Sequence, residues 1–233
     1  MEHSLKLSER LQRVADFLGK GTKFADIGSD HAYLPCYVCK RDSEASAIAG
    51  ELNEGPFESA RSTVLENGLQ ERIDVRHGDG LSVISPGEVK EVVIAGMGGT
   101  LISTILEAGK EKLAGVEKII AQPNVDARST RKWLVDHGYS IEDEAILKEK
   151  GHIYEIISAV KTDGKCTLTE KEALFGPILS KERPQPFIEK WQGELQNLER
   201  VLIQMEQAAE KDEKKMDRFR QEKDWMKEVL SNG

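Results

Sequence analysis

From residue 23 to about 160, short apolar runs alternate with longer amphipathic ones, an order that few folds accommodate. Lys23 to Ile27, Ala47 to Leu52, Ile73 to His77, Glu91 to Ala95, Lys118 to Gln122, Ile141 to Lys148 and Ile153 to Val160 read as strands. Helical patterns lie between most of them. In "EGPFESARSTVLENG", Pro56 stands near a helix start, Phe57, Ala60 and Val64 keep helical spacing, and Gly68 marks the stop. "DARSTRKWLVDHG" repeats the scheme, with Asp126 as N-cap and Gly138 as the terminal glycine. Strands joined by helices need right-handed crossovers, so the fold class is α/β, a mainly parallel sheet with helices on both faces. Only "EKG" separates the last two strands, which predicts an antiparallel hairpin at one edge.

After Val160 the texture changes, dividing the chain into residues 1–160 and 161–233. A linker leads to a short helix that Thr169 caps, with Glu172 as capping-box partner, and Pro184 and Pro186 stop and restart the chain. Trp191, Leu195, Leu198, Leu202, Met205 and Ala209, then Met216, Phe219, Met226 and Leu230, keep a coiled-coil spacing. The phase runs through polar Asp212, so the spacing allows one long helix or a hairpin turning near Glu210 to Glu213. A lone helix would have to dimerise; a hairpin buries the stripe internally.

The formal charge of -8 argues mildly against broad nucleic-acid binding, yet it is unevenly placed. Residues 161–233 hold 14 Lys and Arg against 15 Asp and Glu, leaving 19 against 26 for residues 1–160. Lys211, Lys214, Lys215, Arg218, Arg220 and Lys223 form a local basic cluster, although a solvated helix face explains such a run equally simply. No apolar run has the length of a membrane span and "MEHSLKLSER" lacks a signal-peptide core, which points to the cytoplasm. Cys36 and Cys39 form a C-x-x-C, but Cys166 is the only other thiol, so packing against the sheet is preferred to zinc and no metal is expected.

The loop after the first strand reads "GSDHAYL". A dinucleotide site wants G-x-G-x-x-G, and here Asp30 and Tyr33 stand at the second and third glycine positions. Asp26 and Asp30 repel phosphate, and a divalent-metal loop needs more oxygen ligands than these two supply. An amine-bearing ligand without phosphate fits better, and S-adenosylmethionine is one. Gly28 gives it backbone access, and Asp26 and Asp30 accept from its amine or orient the loop. Glu51 in "GELN" is placed to take both ribose hydroxyls, Asp79 in "HGDGL" to meet the adenine amino group beside Gly80, and Met97 in "AGMGG" to lie on the adenine face. Each is weak alone. Four acidic or glycine-rich loops at successive strand ends, where open α/β sheets bind ligands, form a strong combination.

With those residues in view, the chain resembles the class I S-adenosylmethionine-dependent methyltransferases. More narrowly, "DIGSDHAYLP", "GELNEGPFESA", "VRHGDGL", "IAGMGG" and "QPN" resemble the bacterial TrmK family, which methylates N1 of adenine 22 in tRNA. The resemblance covers nearly the whole chain and implies a Rossmann-like domain followed by an antiparallel coiled-coil hairpin. It also implies a cofactor site that adds Ser29, His31, Leu52, Asn53, Ala95 and Gly96 to the residues above. Asp30 and Ala32 stand where glycines are common in methyltransferases, and "AGMGG" replaces the Asn-Pro-Pro-aromatic signature of N6-amino methylation.

Adenine N1 carries an in-plane lone pair, so the chemistry asks for alignment and charge stabilisation rather than a strong base. Asp30, Met97, Gln122, Asn124 and Tyr154 are the expected base pocket: Asp30 to counter the charge, Met97 to shape the mouth, the amides of Gln122 and Asn124 to read the base edge, and Tyr154 to stack. The plain alternatives are that Asn124 caps the helix near Asp126 and Tyr154 is core. His31 and His77 shape cofactor loops, since no G-x-S-x-G elbow supports a triad. The tRNA is expected to meet Lys211, Lys214, Lys215 and Arg218, aided by Lys6, Arg10 and Arg13, with the protein acting as a monomer. Two other readings compete: a small-molecule methyltransferase dimerising through its C-terminal helices, and an idle scaffold, which the presence of Asp26, Gly28 and Glu51 disfavours.

Overall fold

The structure is a computed structural model that describes residues 7–208 and 210–231. All seven expected strands are present: β1 (Lys23–Ile27), β2 (Ser46–Glu51), β3 (Ile73–His77), β4 (Glu91–Met97), β5 (Lys118–Pro123), β6 (Tyr139–Glu149) and β7 (His152–Lys161). They build one sheet in the order β3-β2-β1-β4-β5-β7-β6, parallel from β3 through β5 and antiparallel where β7 meets β5 and β6. The expected hairpin therefore inserts β7 beside β5 and leaves β6 outermost. Its turn, Lys150-Gly151, has φ of 49° and 85°, the doubly positive geometry that matches strand twist in a two-residue loop. Strand order reverses between β1 and β4, which opens a crevice at their C-terminal ends.

Helices α1 (Glu9–Asp16), α2 (Tyr33–Arg41) and α3 (Glu54–Glu66) cover one face; α4 (Gly99–Ala108) and α5 (Ala127–Asp136) cover the other. Asp126 caps α5 by accepting from the Ser129 amide, and Gly138 follows with φ of 75°. Helix α1 precedes every element expected from the sequence. Ser8 caps it by accepting from the Leu11 amide, and Leu7 and Val14 are buried against α2 and the sheet.

Beyond the sheet lie α6 (Glu170–Phe175), α7 (Leu179–Glu182), α8 (Gln185–Gln207) and α9 (Glu213–Ser231). Both halves of the Thr169–Glu172 capping box are formed. The choice left open by the heptad phase falls to the hairpin. Asp212 accepts from the Lys215 amide at 3.0 Å and so starts a new helix rather than continuing the old one. Glu206 faces Arg220 at 3.7 Å and Glu199 faces Lys227 at 3.2 Å, an antiparallel register. Trp191, Leu202, Met216, Met226 and Val229 are buried; Ala209 of the expected stripe lies outside the described residues.

The helical pair is joined to the sheet by a buried ion cluster. Arg131 of α5 is fully buried and donates to Glu144 at 2.7 Å and Glu155 at 2.6 Å, while Lys190 of α8 also donates to Glu155. Arg131 further reaches the Ala173 and Leu174 carbonyls, and Glu144 accepts from the Ile178 amide at 2.9 Å. Two cations thus face two carboxylates, the condition under which buried charge is tolerated. Phe175, Phe187 and Trp191 pack beside it, with Phe175 edge-on to Trp191 at 4.5 Å.

Candidate active site

The first loop is built from strain and its restraints. Gly28 has φ of 71° and its amide, like that of Ser29, donates to the Gly50 carbonyl of β2. Asp30, His31 and Ala32 follow with φ of 45°, 73° and 57°, three side-chain-bearing residues in the left-handed region. Each costs about 1 kcal/mol relative to glycine. Glu51 holds the turn by accepting the Asp30 amide, and His31 stacks on Tyr33 with centroids 5.4 Å apart. Asp26 lies behind the loop, only 3% exposed, and accepts from Ser29 Oγ at 2.6 Å. Burial pushes its carboxyl up to about 7. Asp26 thus organises the loop, and the exposed Asp30 is the carboxylate that faces outward.

Glu51 ends β2 nearly buried, and burial raises its pKa. Leu52 and Asn53 follow; Leu52 is 57% exposed, an apolar side chain presented to whatever fills the crevice. His77 bonds the Leu52 carbonyl at 2.8 Å, so it does shape this loop. Asp79 is exposed and begins a short 3₁₀ turn at Gly80, whose φ is 50°.

At the end of β4, Ala95 leads through a bulge to exposed Gly96, φ 80°, and Met97. The Met97 methyl lies against Gly28, where any Cβ would strike it, so the two loops meet through that side chain packed on the glycine. Such a cradle, walled by Glu51, Leu52 and Asp30, suits a ligand that brings its own apolar surface and amine. Gln122 does not face this space. It is fully buried; its Oε1 accepts from the Gly96 amide at 3.0 Å and from Arg10, and its Nε2 donates to Asn124 Oδ1 at 3.3 Å. The expectation that Gln122 reads a base edge is therefore corrected: the side chain is fully buried, and its Oε1 is committed to the Gly96 amide and Arg10, fixing the Gly96 loop. Asn124 is exposed and does not cap α5; its Nδ2 donates to the Gly96 carbonyl at 2.7 Å and its amide to the Met97 carbonyl at 2.7 Å. Tyr154 on β7 is half-buried rather than core.

Arg10, expected to meet the tRNA, reaches from α1 to Gln122 and lies over the Tyr154 ring, 5.3 Å from its centroid. Arg13 is exposed, 3.7 Å from Asp16, and Lys6 lies outside the described residues. Lys211, Lys214, Lys215 and Arg218 are all exposed at the start of α9, whereas Arg220 is neutralised by Glu206, Glu213 and Asp217. A groove of about 720 Å³ opens beside Asn124, lined by Val125 and His152 and by Asn197, Val201, Phe219 and Glu222 of the helical pair. Cys36 and Cys39 are buried on α2 and burial pushes both thiols up, to about 12 and about 11, the opposite of metal-binding thiolates. Among the described residues no acidic, His and Cys group has the makings of a metal site.

A family model described as tRNA (adenine(22)-N(1))-methyltransferase, TrmK, matches residues 24–227. A curated Bacillus subtilis protein of that description is 45% identical over 99% of this chain and 100% of its own. The crystal structure of the B. subtilis M1A22 tRNA methyltransferase TrmK superposes with a TM-score of 0.92 at 44% identity, covering 98% of this chain and 100% of the other. The M. capricolum TrmK structure in complex with S-adenosyl-homocysteine, its natural cofactor product, has a TM-score of 0.82 at 27% identity, covering 96% of this chain and 97% of the other.

Proposed function

The chain belongs to the tRNA (adenine(22)-N(1))-methyltransferase family, and we propose that it carries out the reaction where β1, β2, β4 and β5 end. It is an S-adenosyl-L-methionine-dependent enzyme that methylates N1 of adenine 22 in tRNA. The cofactor supplies a methyl on a sulfonium. Glu51 takes the ribose hydroxyls, Asp79 and Gly80 border the adenine, Leu52 and Asn53 flank it, and the Gly28 to His31 loop receives the amino-acid end. The observation that carries this is the Met97 methyl seated over Gly28, which joins the β4 loop to the β1 loop that Glu51 holds through the Asp30 amide.

Adenine N1 attacks with its own lone pair, so the residues near it hold geometry and balance charge. Asn124 grips the Gly96 carbonyl and the Met97 backbone, and Gln122 grips the Gly96 amide, so the mouth keeps one shape during transfer. In this reading Asp30 offsets the positive charge that passes to the base, and the Tyr154 ring stacks on it. Chromatography of nucleosides from tRNA methylated by the protein tests this: 1-methyladenosine is the expected product, and N6-methyladenosine would sink the reading.

Residues 161–233 act as the RNA arm, and residues 1–160 as the catalytic domain. Lys211, Lys214, Lys215 and Arg218 make a basic tip, and the groove beside Asn124, which reaches Phe219 of the same helix, is the path for RNA toward the mouth. The α8–α9 stripe is spent internally, which favours a monomer over a dimer through these helices. No helix among the described residues is long and apolar enough to cross a membrane, and a tRNA substrate suits the cytoplasm. Reversing Lys214, Lys215 and Arg218 to Glu should weaken tRNA binding at least tenfold and flatten its salt dependence. Unchanged affinity and slope in a filter-binding titration would remove the tip from the interface.

A further inference from the structure

The mouth holds a cation for which the reaction has no use in its present place. Arg10 donates to buried Gln122, and its guanidinium covers the Tyr154 ring. A Cβ placed on Gly96 would lie 3.8 Å from Arg10 Nη1, so the guanidinium also fronts the backbone beside which the base must present N1. Methyl transfer moves positive charge onto that base. A guanidinium in the same slot both fills the space and opposes the charge. Its partners differ from those of Arg76, Arg128 and Arg131, each of which holds a carboxylate at 2.6 to 2.8 Å, and from those of Arg72 and Arg183, which hold backbone carbonyls away from the mouth. Among the described residues Arg10 instead rests on a neutral amide oxygen and a ring. A phosphodiester, which takes guanidinium in a bidentate charge-assisted pair, outbids both.

We propose that Arg10 determines specificity for nucleic-acid substrate: it occupies the target-base slot on Tyr154 in the free protein and leaves it for a phosphate of the incoming tRNA. This rests on the reading of Gly96, Asn124 and Tyr154 as the base pocket. The slot then opens to an adenine that arrives on a phosphate backbone. Free adenosine, having no phosphate, does not draw the guanidinium out. When Arg10 leaves, Gln122 Oε1 still accepts the Gly96 amide, so the loop at the mouth keeps its shape.

The test compares wild type, Arg10→Ala and Arg10→Gln, each confirmed folded by its thermal midpoint, on tRNA and on adenosine. For Arg10→Ala the KM for tRNA should rise about tenfold, and log(kcat/KM) should fall less steeply with log salt, by a slope of about one. Methylation of adenosine by this variant should exceed the wild-type rate several-fold. Arg10→Gln keeps a donor for Gln122 but no charge, and should share the shallower salt slope. A wild-type slope and KM in Arg10→Gln would reduce Arg10 to a structural hydrogen bond and overturn the proposal, as would adenosine methylation that does not rise in Arg10→Ala. Failure of the wild type itself to form 1-methyladenosine in tRNA would instead overturn the pocket reading on which the proposal stands.

Discussion

Replacing Glu51 with Ala is expected to weaken S-adenosyl-L-methionine binding by about 100-fold or more while leaving the fold intact. A buried carboxylate accepting two ribose hydroxyls makes two charge-assisted hydrogen bonds, and losing them costs about 3–4 kcal/mol, at 1.4 kcal/mol per decade of affinity. The same side chain also accepts the Asp30 amide and so restrains the left-handed run from Asp30 to Ala32. Its removal therefore loosens the loop as well as taking away the ribose contact. Stability should fall little, because burial raises the Glu51 pKa, so the folded state gives up an unfavourably placed charge along with the hydrogen bond. Calorimetric titration with the cofactor reads the affinity directly. A Kd within threefold of wild type would exclude Glu51 from the cofactor site.

The second large effect concerns the junction. Arg131→Met removes one cation from a cluster in which Glu144 and Glu155 are almost wholly buried, leaving Glu155 to Lys190 and Glu144 with backbone amides alone. Breaking such a set by deleting one member costs about 3–5 kcal/mol, a large part of the stability of an ordinary domain. For a chain of this length the thermal midpoint should drop by about 6–20 °C. Arg131 also bonds the carbonyls of Ala173 and Leu174, so the segment leading to α8 should become the first site of proteolysis. Adding Glu144→Gln and Glu155→Gln to Arg131→Met should recover part of the loss, since the uncompensated charge would be gone. A midpoint shift below about 2 °C for Arg131→Met alone would mean that the cluster is not what joins the helical pair to the sheet.

The residues named in these predictions differ in how far the sequence reveals them. Glu51 is legible because it closes an apolar run about 20 residues after the first glycine loop, and parallel strands deliver their C-terminal residues to one edge. Arg131 is not: within "DARSTRKWLVDHG" it reads as one more solvent-facing charge. Its burial depends on Glu144 and Glu155, which no periodicity links to it. Gln122 and Asn124 illustrate the same limit two residues apart. The motif puts both amides at the site, but only the packed structure turns one inward and leaves the other exposed. Helix α1 carried a readable signal, Leu11, Val14 and Leu18 at helical spacing after Ser8 with Leu7 just before it, beneath a strongly charged surface. Without that helix Arg10 reads as a loose basic residue rather than as one aimed into the mouth. The turn between α8 and α9 was masked because the heptad phase continues through Asp212, whose side chain in fact caps the second helix.

Two transcripts of one tRNA, alike except for adenine or guanine at position 22, give the most direct test of the assigned reaction when incubated with labelled S-adenosyl-L-methionine. Label is predicted in the adenine-22 transcript, at background in the guanine-22 transcript, with both transcripts bound equally well. Equal labelling of the two would contradict it, because the methyl would then be going to another base.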